Sequence, residues 1–249
     1  MVYIKNAHEI SGIKKACEIF KKVRNICLQE NFLNKDLKWI DEFTKTTIES
    51  FGAKCAFHNY QGFPGYNCLS KNNVIIHGIG TKDQAFREKD KLTLDLGIEL
   101  DGFICDAAFT ILGPKVDLEY VKLSEVTLQA IFEAVEVIKP DNCIGDISCR
   151  IENFIKQHGY QILENYGGHG CGLKIHEDPI ILNYGGKPKT GFKLKPGMVI
   201  CIEPMVLSKS NKIHLGSDNW SVISDISQMT CHWEHMILVT ENGCEVLTQ

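Results

Sequence analysis

Two aspartates stand where a strand-forming sequence ordinarily places apolar residues. They are Asp95 and Asp106, in the segment KLTLDLGIELDGFICDAAFTILG at residues 91–113. The segment alternates on both sides of a polar turn at Glu99–Gly102, the pattern of a β-hairpin. A two-residue turn at Leu100–Asp101 sets the two carboxylates directly opposite. A turn at Asp101–Gly102 sets them diagonally, and either turn keeps both on one face. Like charges so placed repel, and burying either one unpaired is costlier still. A divalent cation between them answers both problems, because carboxylate oxygens are hard ligands for ions such as Mg or Mn.

Three more residues repeat the oddity. His169 lies in YGGHGCGLKIHE, flanked by glycines that leave its imidazole open and mark tight turns or close backbone approach; His176 follows seven residues on. Glu203 ends the short apolar run GMVICIEPM, where a proline stops the ladder. Glu234 interrupts the β-favouring run MTCHWEHMILVT. One such carboxylate is explained by a structural salt bridge. Four are not, because few basic residues lie in these strands. Four carboxylates and an imidazole are a donor set for two divalent ions about 3.5–4 Å apart, which need bridging carboxylates, a part Asp106 and Glu234 could take; such a pair polarises a carbonyl and acidifies a water near neutral pH.

The elements that must position these groups read as two helices, strands, two helices, strands. Residues 7–29 place Ile10, Ile13, Cys17, Phe20 and Cys27 at helical spacing. Residues 36–51 form a second helix through Leu37, Ile40, Phe43, Thr47 and Phe51, with Gly52 after its end. Residues 117–138 and 145–158 are the second pair, stopped by Pro140 and Gly159. The pair ends IESFGAKC and IKQHGYQI are alike, which is weak evidence for a duplicated α+β unit. No linker or low-complexity stretch divides the chain, so residues 1–249 are expected to form a single catalytic domain.

The bulk composition excludes little else. The chain has 249 residues, 44% hydrophobic and 23% charged, enough for a sizeable core. A net charge of −4 gives no general attraction to nucleic acid or anionic membrane. Eleven cysteines are irregularly spaced without a C-x-x-C pair, so neither a zinc ribbon nor a thioredoxin-like motif is present. Cys17, Cys27 and Cys201 sit among apolar neighbours as small hydrophobes, which points to a reducing cytoplasm. The stretch MVYIKNAHEI lacks the apolar region of a signal peptide, and no run approaches the ~18 apolar residues of a membrane span.

The order of these ligand candidates, with the strings HGIG, DLGIELDGFICDAAFT, GHGCGLKIHEDP, GMVICIEPM and WEHMILVTENG, resembles type I methionine aminopeptidase, a pita-bread metallopeptidase. The segment NYQGFPGYNCLSKNNVIIHG narrows the match, which spans nearly the whole chain. The resemblance implies an α+β pita-bread fold, with two pseudo-symmetric α/β halves and a central curved antiparallel sheet covered by helices. It implies removal of the initiator methionine from nascent chains whose second residue is small. It further implies two divalent ions (Co, Mn, Fe or Zn), one on Asp95, Asp106 and Glu234, the other on Asp106, His169, Glu203 and Glu234.

The same resemblance makes His77 and His176 the substrate-facing histidines, His176 at the oxyanion and His77 at the scissile amide or the residue beyond it. Glu203 is implied as a proton shuttle. Tyr60, Phe63, Cys68 and Trp220 match pocket-lining positions, and Asn72, Val74 and Thr230 match a site for one Na or K ion. Expected partners are N-terminal Met peptides and, transiently, the ribosome, with no membrane, no specific nucleic acid and a monomeric chain. The pattern departs from the family at Gly80, Cys171, Ile175 and Phe57, which bears on pocket shape rather than on the ligand set. Two other readings are a relative that cleaves before proline and a non-catalytic pita-bread binding module. The first is usually longer; the second typically lacks the ligands present here.

Overall fold

The computed structural model describes residues 2–249. The first half holds helices α1 (Ala7–Gln29) and α2 (Leu37–Ser50) and strands β1 (Lys54–Cys55), β2 (Cys68–Lys71), β3 (Val74–Ile76), β4 (Lys91–Leu100) and β5 (Phe103–Leu112). The second half opens with α3 (Leu118–Val135) and α4 (Ile144–Gln157). Short strands follow: β6 (Gln161–Ile162), β7 (Gly167–Gly170), β8 (Glu177–Leu182), β9 (Val199–Ile202) and β10 (Met205–Leu207). The chain ends through β11 (Ile213–Leu215), β12 (Val222–Ser224), β13 (Thr230–His232), β14 (His235–Thr240) and β15 (Gly243–Val246).

Local chemistry explains the helix ends. Asn6 and Glu9 form a reciprocal capping box at α1, with Glu9 N–H donating to Asn6 Oδ1 at 3.0 Å and Asn6 N–H to Glu9 Oε2 at 2.8 Å. Asp36 caps α2 by accepting from Trp39 N–H at 2.8 Å. The third helix is shorter than its apolar pattern predicts. After Val135 the N–H groups of Val137 and Ile138 turn to carbonyls three residues back, so Ile138 packs in the core from a tightened turn rather than from the helix. Gly52 (φ 77°) and Gly159 (φ 79°) end α2 and α4 in the left-handed region, and each leads into a two-residue strand.

Each helix pair covers one antiparallel sheet. Phe20, Leu37 and Ile40 pack with Leu92, Leu94, Leu96 and Phe109 in one core; Ile131, Ile147 and Ile151 pack with Ile200 and Ile237 in the other. In the first sheet β4 is flanked by β2 and β5. The hairpin turns at Asp101 (φ 52°) and Gly102 (φ 82°), both in the left-handed region that a tight two-residue hairpin needs. That turn pairs Gly97 with Asp106 and Asp95 with Ala108, so the two aspartates are diagonal on one face. The second sheet runs β15-β14-β9-β7-β8.

The two sheets join at the site. Glu234 N–H donates to Ala108 O at 3.1 Å, and Ala108 N–H returns to Glu234 O at 3.3 Å. Ile104 N–H reaches Gly172 O at 2.8 Å. Packing here is close enough to demand glycine. A Cβ on Gly168 would stand 2.1 Å from Cys201 O, and one on Gly170 would stand 2.3 Å from Asp178 O. The glycines beside His169 therefore serve strand-to-strand approach. Gly80 has the same logic: a Cβ there would meet Leu37 O at 2.7 Å, so the chain passes over the start of α2 only without a side chain.

Gly168→Ala is expected to destabilise the metal-free protein by about 1–3 kcal/mol, because the obstructing atom is a main-chain carbonyl that cannot rotate away. Gly243→Ala, which meets open space, should stay within about 0.5 kcal/mol. Urea denaturation of both variants checks the pair, and equal effects would contradict the packing argument.

Candidate metal centre

Each strand delivers one group to a common point. Asp95 comes from β4, Asp106 from β5, His169 from β7, Glu203 from the end of β9 and Glu234 from the residue before β14. All are buried, between 2% and 8% exposed. His169 Nε2 lies 3.3 Å from Glu203 Oε1 and 3.9 Å from Asp106 Oδ2. Donor atoms of Asp106, His169, Glu234 and the Cys201 thiol all fall within 4.8 Å of one another. Asn183 holds the Glu203 main chain by donating from Nδ2 to Glu203 O at 3.0 Å.

The electrostatics are those of a cation site. Among the described residues no lysine or arginine is within ion-pair range of the four carboxylates; their ion-pair neighbours are His169 and His232. Asp95 Oδ1, Asp106 Oδ1 and Glu234 Oε1 are buried without any hydrogen-bond partner. Burial, reinforced by the neighbouring acids, pushes Asp106, Glu203 and Glu234 well above the usual carboxylate range. Burial likewise raises Asp95 to about 7, against a hydrogen bond from Cys68 that lowers it. His169 is driven the other way, to about 4, chiefly by burial. Its Nδ1 lies 3.0 Å from Gly170 O, so the proton sits there and the Nε2 lone pair faces the acids. Orphaned oxygens around a neutral imidazole fit divalent ions.

A cleft of about 900 Å³ opens above these groups, with Asp95, Asp106, His169, Glu203 and Glu234 among its lining residues. His77, His176, Tyr60, Phe63, Cys68 and Trp220 line it too. The His176 ring stands edge-on to His169 at 4.4 Å, and its Nδ1 lies 3.1 Å from Tyr60 Oη. The loop carrying His176 is tied down by Glu177, which accepts from Leu173 and Lys174 N–H and pairs with buried Lys5 at 2.7 Å. His77 has φ 56°, and burial lowers its pKa to about 4. Phe63 and Trp220 meet edge to face at 5.2 Å. Phe57 and Ile175 also line the cleft, whereas Cys171 is fully buried in the core behind it.

Two neighbours of the acids escape a reading from sequence. His232 is 2% exposed, with neither ring nitrogen hydrogen-bonded, and its Nε2 lies 3.7 Å from Glu203 Oε2. Its place two residues before Glu234 is the available signal, since strand period puts both on one face. Cys201 reads as core filler, yet its thiol is among the donor atoms. Asn72, Val74 and Thr230 do not line the cleft. They meet one another instead: Thr230 Oγ1 donates to Asn72 O at 2.6 Å and to Val74 O at 3.2 Å.

The raised acids set a pH dependence for metal-free protein. An acid whose folded pKa is raised binds its proton more tightly when folded. Its contribution is whole below about pH 4 and is lost as pH rises through the folded value. Asp95, raised to about 7, places the loss between about pH 4 and 7. The Tm of metal-free protein should therefore fall from pH 5 to pH 8, and Asp106→Asn should flatten that fall. A Tm that rises over this range would contradict the geometry.

Comparison with known proteins agrees with the site. The profile of metallopeptidase family M24 matches residues 11–241. The methionine aminopeptidase of Mycoplasma genitalium is 49% identical over 249 residues, with 100% of both chains covered. The crystal structure of methionine aminopeptidase from Thermotoga maritima superposes with a TM-score of 0.96 at 32% identity, covering 100% of each chain. The prolidase from Pyrococcus horikoshii gives a TM-score of 0.78 at 25% identity, and the match covers 99% of this chain but 63% of that one. With its two helix-covered α/β halves in the pita-bread fold, the chain belongs to metallopeptidase family M24 and, within it, to the methionine aminopeptidases.

Proposed function

We propose that this chain removes the N-terminal methionine from nascent proteins whose second residue is small, using two divalent ions. The observation that carries the reading is the convergence of four buried carboxylates, three of them with an oxygen that has no hydrogen-bond partner, and one imidazole on a single cleft. Asp95, Asp106 and Glu234 would hold one ion, and Asp106, His169, Glu203 and Glu234 the other, drawn from Co, Mn, Fe or Zn. When bound, such a pair polarises the scissile carbonyl and acidifies the attacking water.

The remaining work falls to the chain's own side chains. Tyr60 Oη, 3.1 Å from His176 Nδ1, can donate to it, and the Nε2–H tautomer so held would serve the oxygen that gains charge as the carbonyl is attacked. Burial keeps both His176 and His77 below their usual pKa, so neither carries a charge that would repel the substrate's ammonium. His77 also lines the cleft and would contact the scissile amide or the residue beyond it. Glu203 would shuttle the proton from the attacking water to the leaving amine. Tyr60, Phe63, Cys68 and Trp220 offer the aromatic and sulfur contacts that suit a thioether side chain.

We place the chain in the cytoplasm, as a monomer that meets nascent chains at the ribosome. No described helix is long and apolar enough to cross a membrane, and all eleven cysteines are free thiols, as a reducing compartment requires.

Release of free methionine from Met-Ala-Ser after adding back each metal tests the reading, with a Xaa-Pro dipeptide as the competing substrate. Cleavage of the dipeptide instead would favour the prolidase-like alternative. Asp106→Ala should abolish both metal retention and turnover; wild-type activity in that variant would refute the shared-ligand assignment. His176→Ala should keep its metal content and lose kcat by roughly 10²–10³-fold, the cost of one oxyanion donor. A change confined to KM would reduce His176 to a binding role.

A further inference from the structure

Lys91 opens β4 with its side chain fully buried, at 0% exposure. Its Nζ donates to Ser70 O at 3.1 Å and to Val74 O at 3.2 Å. Among the described residues no carboxylate pairs with it; the adjacent Asp90 is taken by Lys71 at 3.0 Å. A buried amine ordinarily requires a carboxylate, yet this one is solvated by main-chain oxygens, the way a protein strips and holds an alkali ion.

The surroundings complete that arrangement. Asn72 adopts φ 52°, and its Oδ1 accepts from Lys91 N–H at 3.0 Å while its Nδ2 donates to Asp90 Oδ1 at 2.8 Å. Thr230 Oγ1 donates to the carbonyls of Asn72 and Val74. The carbonyls of Ser70, Asn72 and Val74 are thus all engaged by donors from this chain. A Na or K ion at Asn72, Val74 and Thr230 does not fit, because a hydroxyl and an ammonium already hold the oxygens it would need.

We infer that the Lys91 ammonium is a built-in monovalent cation, supplied covalently by β4 in place of an alkali ion and joining β2, β3 and β4. It binds the strands that carry Cys68 and Asp95 and the segment leading to His77. Burial draws its pKa down to about 8, with Cys231 acting to raise it, so the charge persists at neutral pH.

The test reads ion binding and stability, so it stands apart from any peptide assay. The Tm of the metal-loaded full chain is measured in KCl, NaCl and choline chloride at equal ionic strength. Crystals soaked in Rb⁺ are examined for anomalous density between Ser70 O and Val74 O. Wild type should show no peak and Tm values within about 1 °C of one another. Lys91→Met, which removes the charge and is one atom shorter so that the place of Nζ is open, should acquire the Rb⁺ peak and a Tm higher in KCl than in choline chloride by roughly 3–8 °C at saturation. A Rb⁺ peak or an alkali-specific Tm rise in wild type overturns the proposal. So does a folded Lys91→Met protein that ignores alkali ions. If Lys91→Met does not fold, the wild-type measurements alone decide.

Discussion

The mutual repulsion of four buried acids is the constraint around which the rest of the molecule is arranged. Among the described residues no lysine or arginine pairs with them, and three of their oxygens have no hydrogen-bond donor. Main-chain rigidity holds them together in spite of that. Asp95 and Asp106 are fixed by a ten-pair hairpin ladder, and Glu203 and Glu234 are fixed where β9 meets β14. Helix pairs on the outer faces supply the apolar burial that keeps the strands from spreading. Stability in this fold is thereby spent on keeping like charges close until cations arrive, a common trade at functional sites.

Much of this was legible before any coordinates. Helical periodicity located α1 at residues 7–29, the bounds it has in the structure, because Ile13, Cys17 and Phe20 form a clean stripe; the Asn6–Glu9 capping box that starts it was not read from the sequence. The acids announced themselves by type: Asp and Glu inside β-favouring runs have few structural excuses. The turn was narrowed to two choices, and the Asp-Gly preference for left-handed backbone decides between them in favour of the diagonal arrangement.

What stayed hidden has a common cause, which is that contact across strands is invisible along the chain. Lys91 reads as a polar residue at the start of a strand, and only the inward turn at Asn72 shows why its ammonium is buried. Cys201 reads as filler because its neighbours are apolar, yet pairing with β7 and β14 sets it beside the acids. His232 was overshadowed by Glu234. The glycines around His169 were legible as glycines with a purpose, but the purpose depends on how near Cys201 O and Asp178 O come.

The paired main-chain hydrogen bonds between Ala108 and Glu234 carry a consequence of their own. They span the seam between the halves, and the donor groups come from both sides of it. The width of that seam is therefore a chemical variable, because any breathing of one sheet against the other changes the cage offered to the ions. Remote core residues that set this width act as a tuning screw on ion affinity, so damage there would surface as a loosened grip on metal well before the architecture itself gave way.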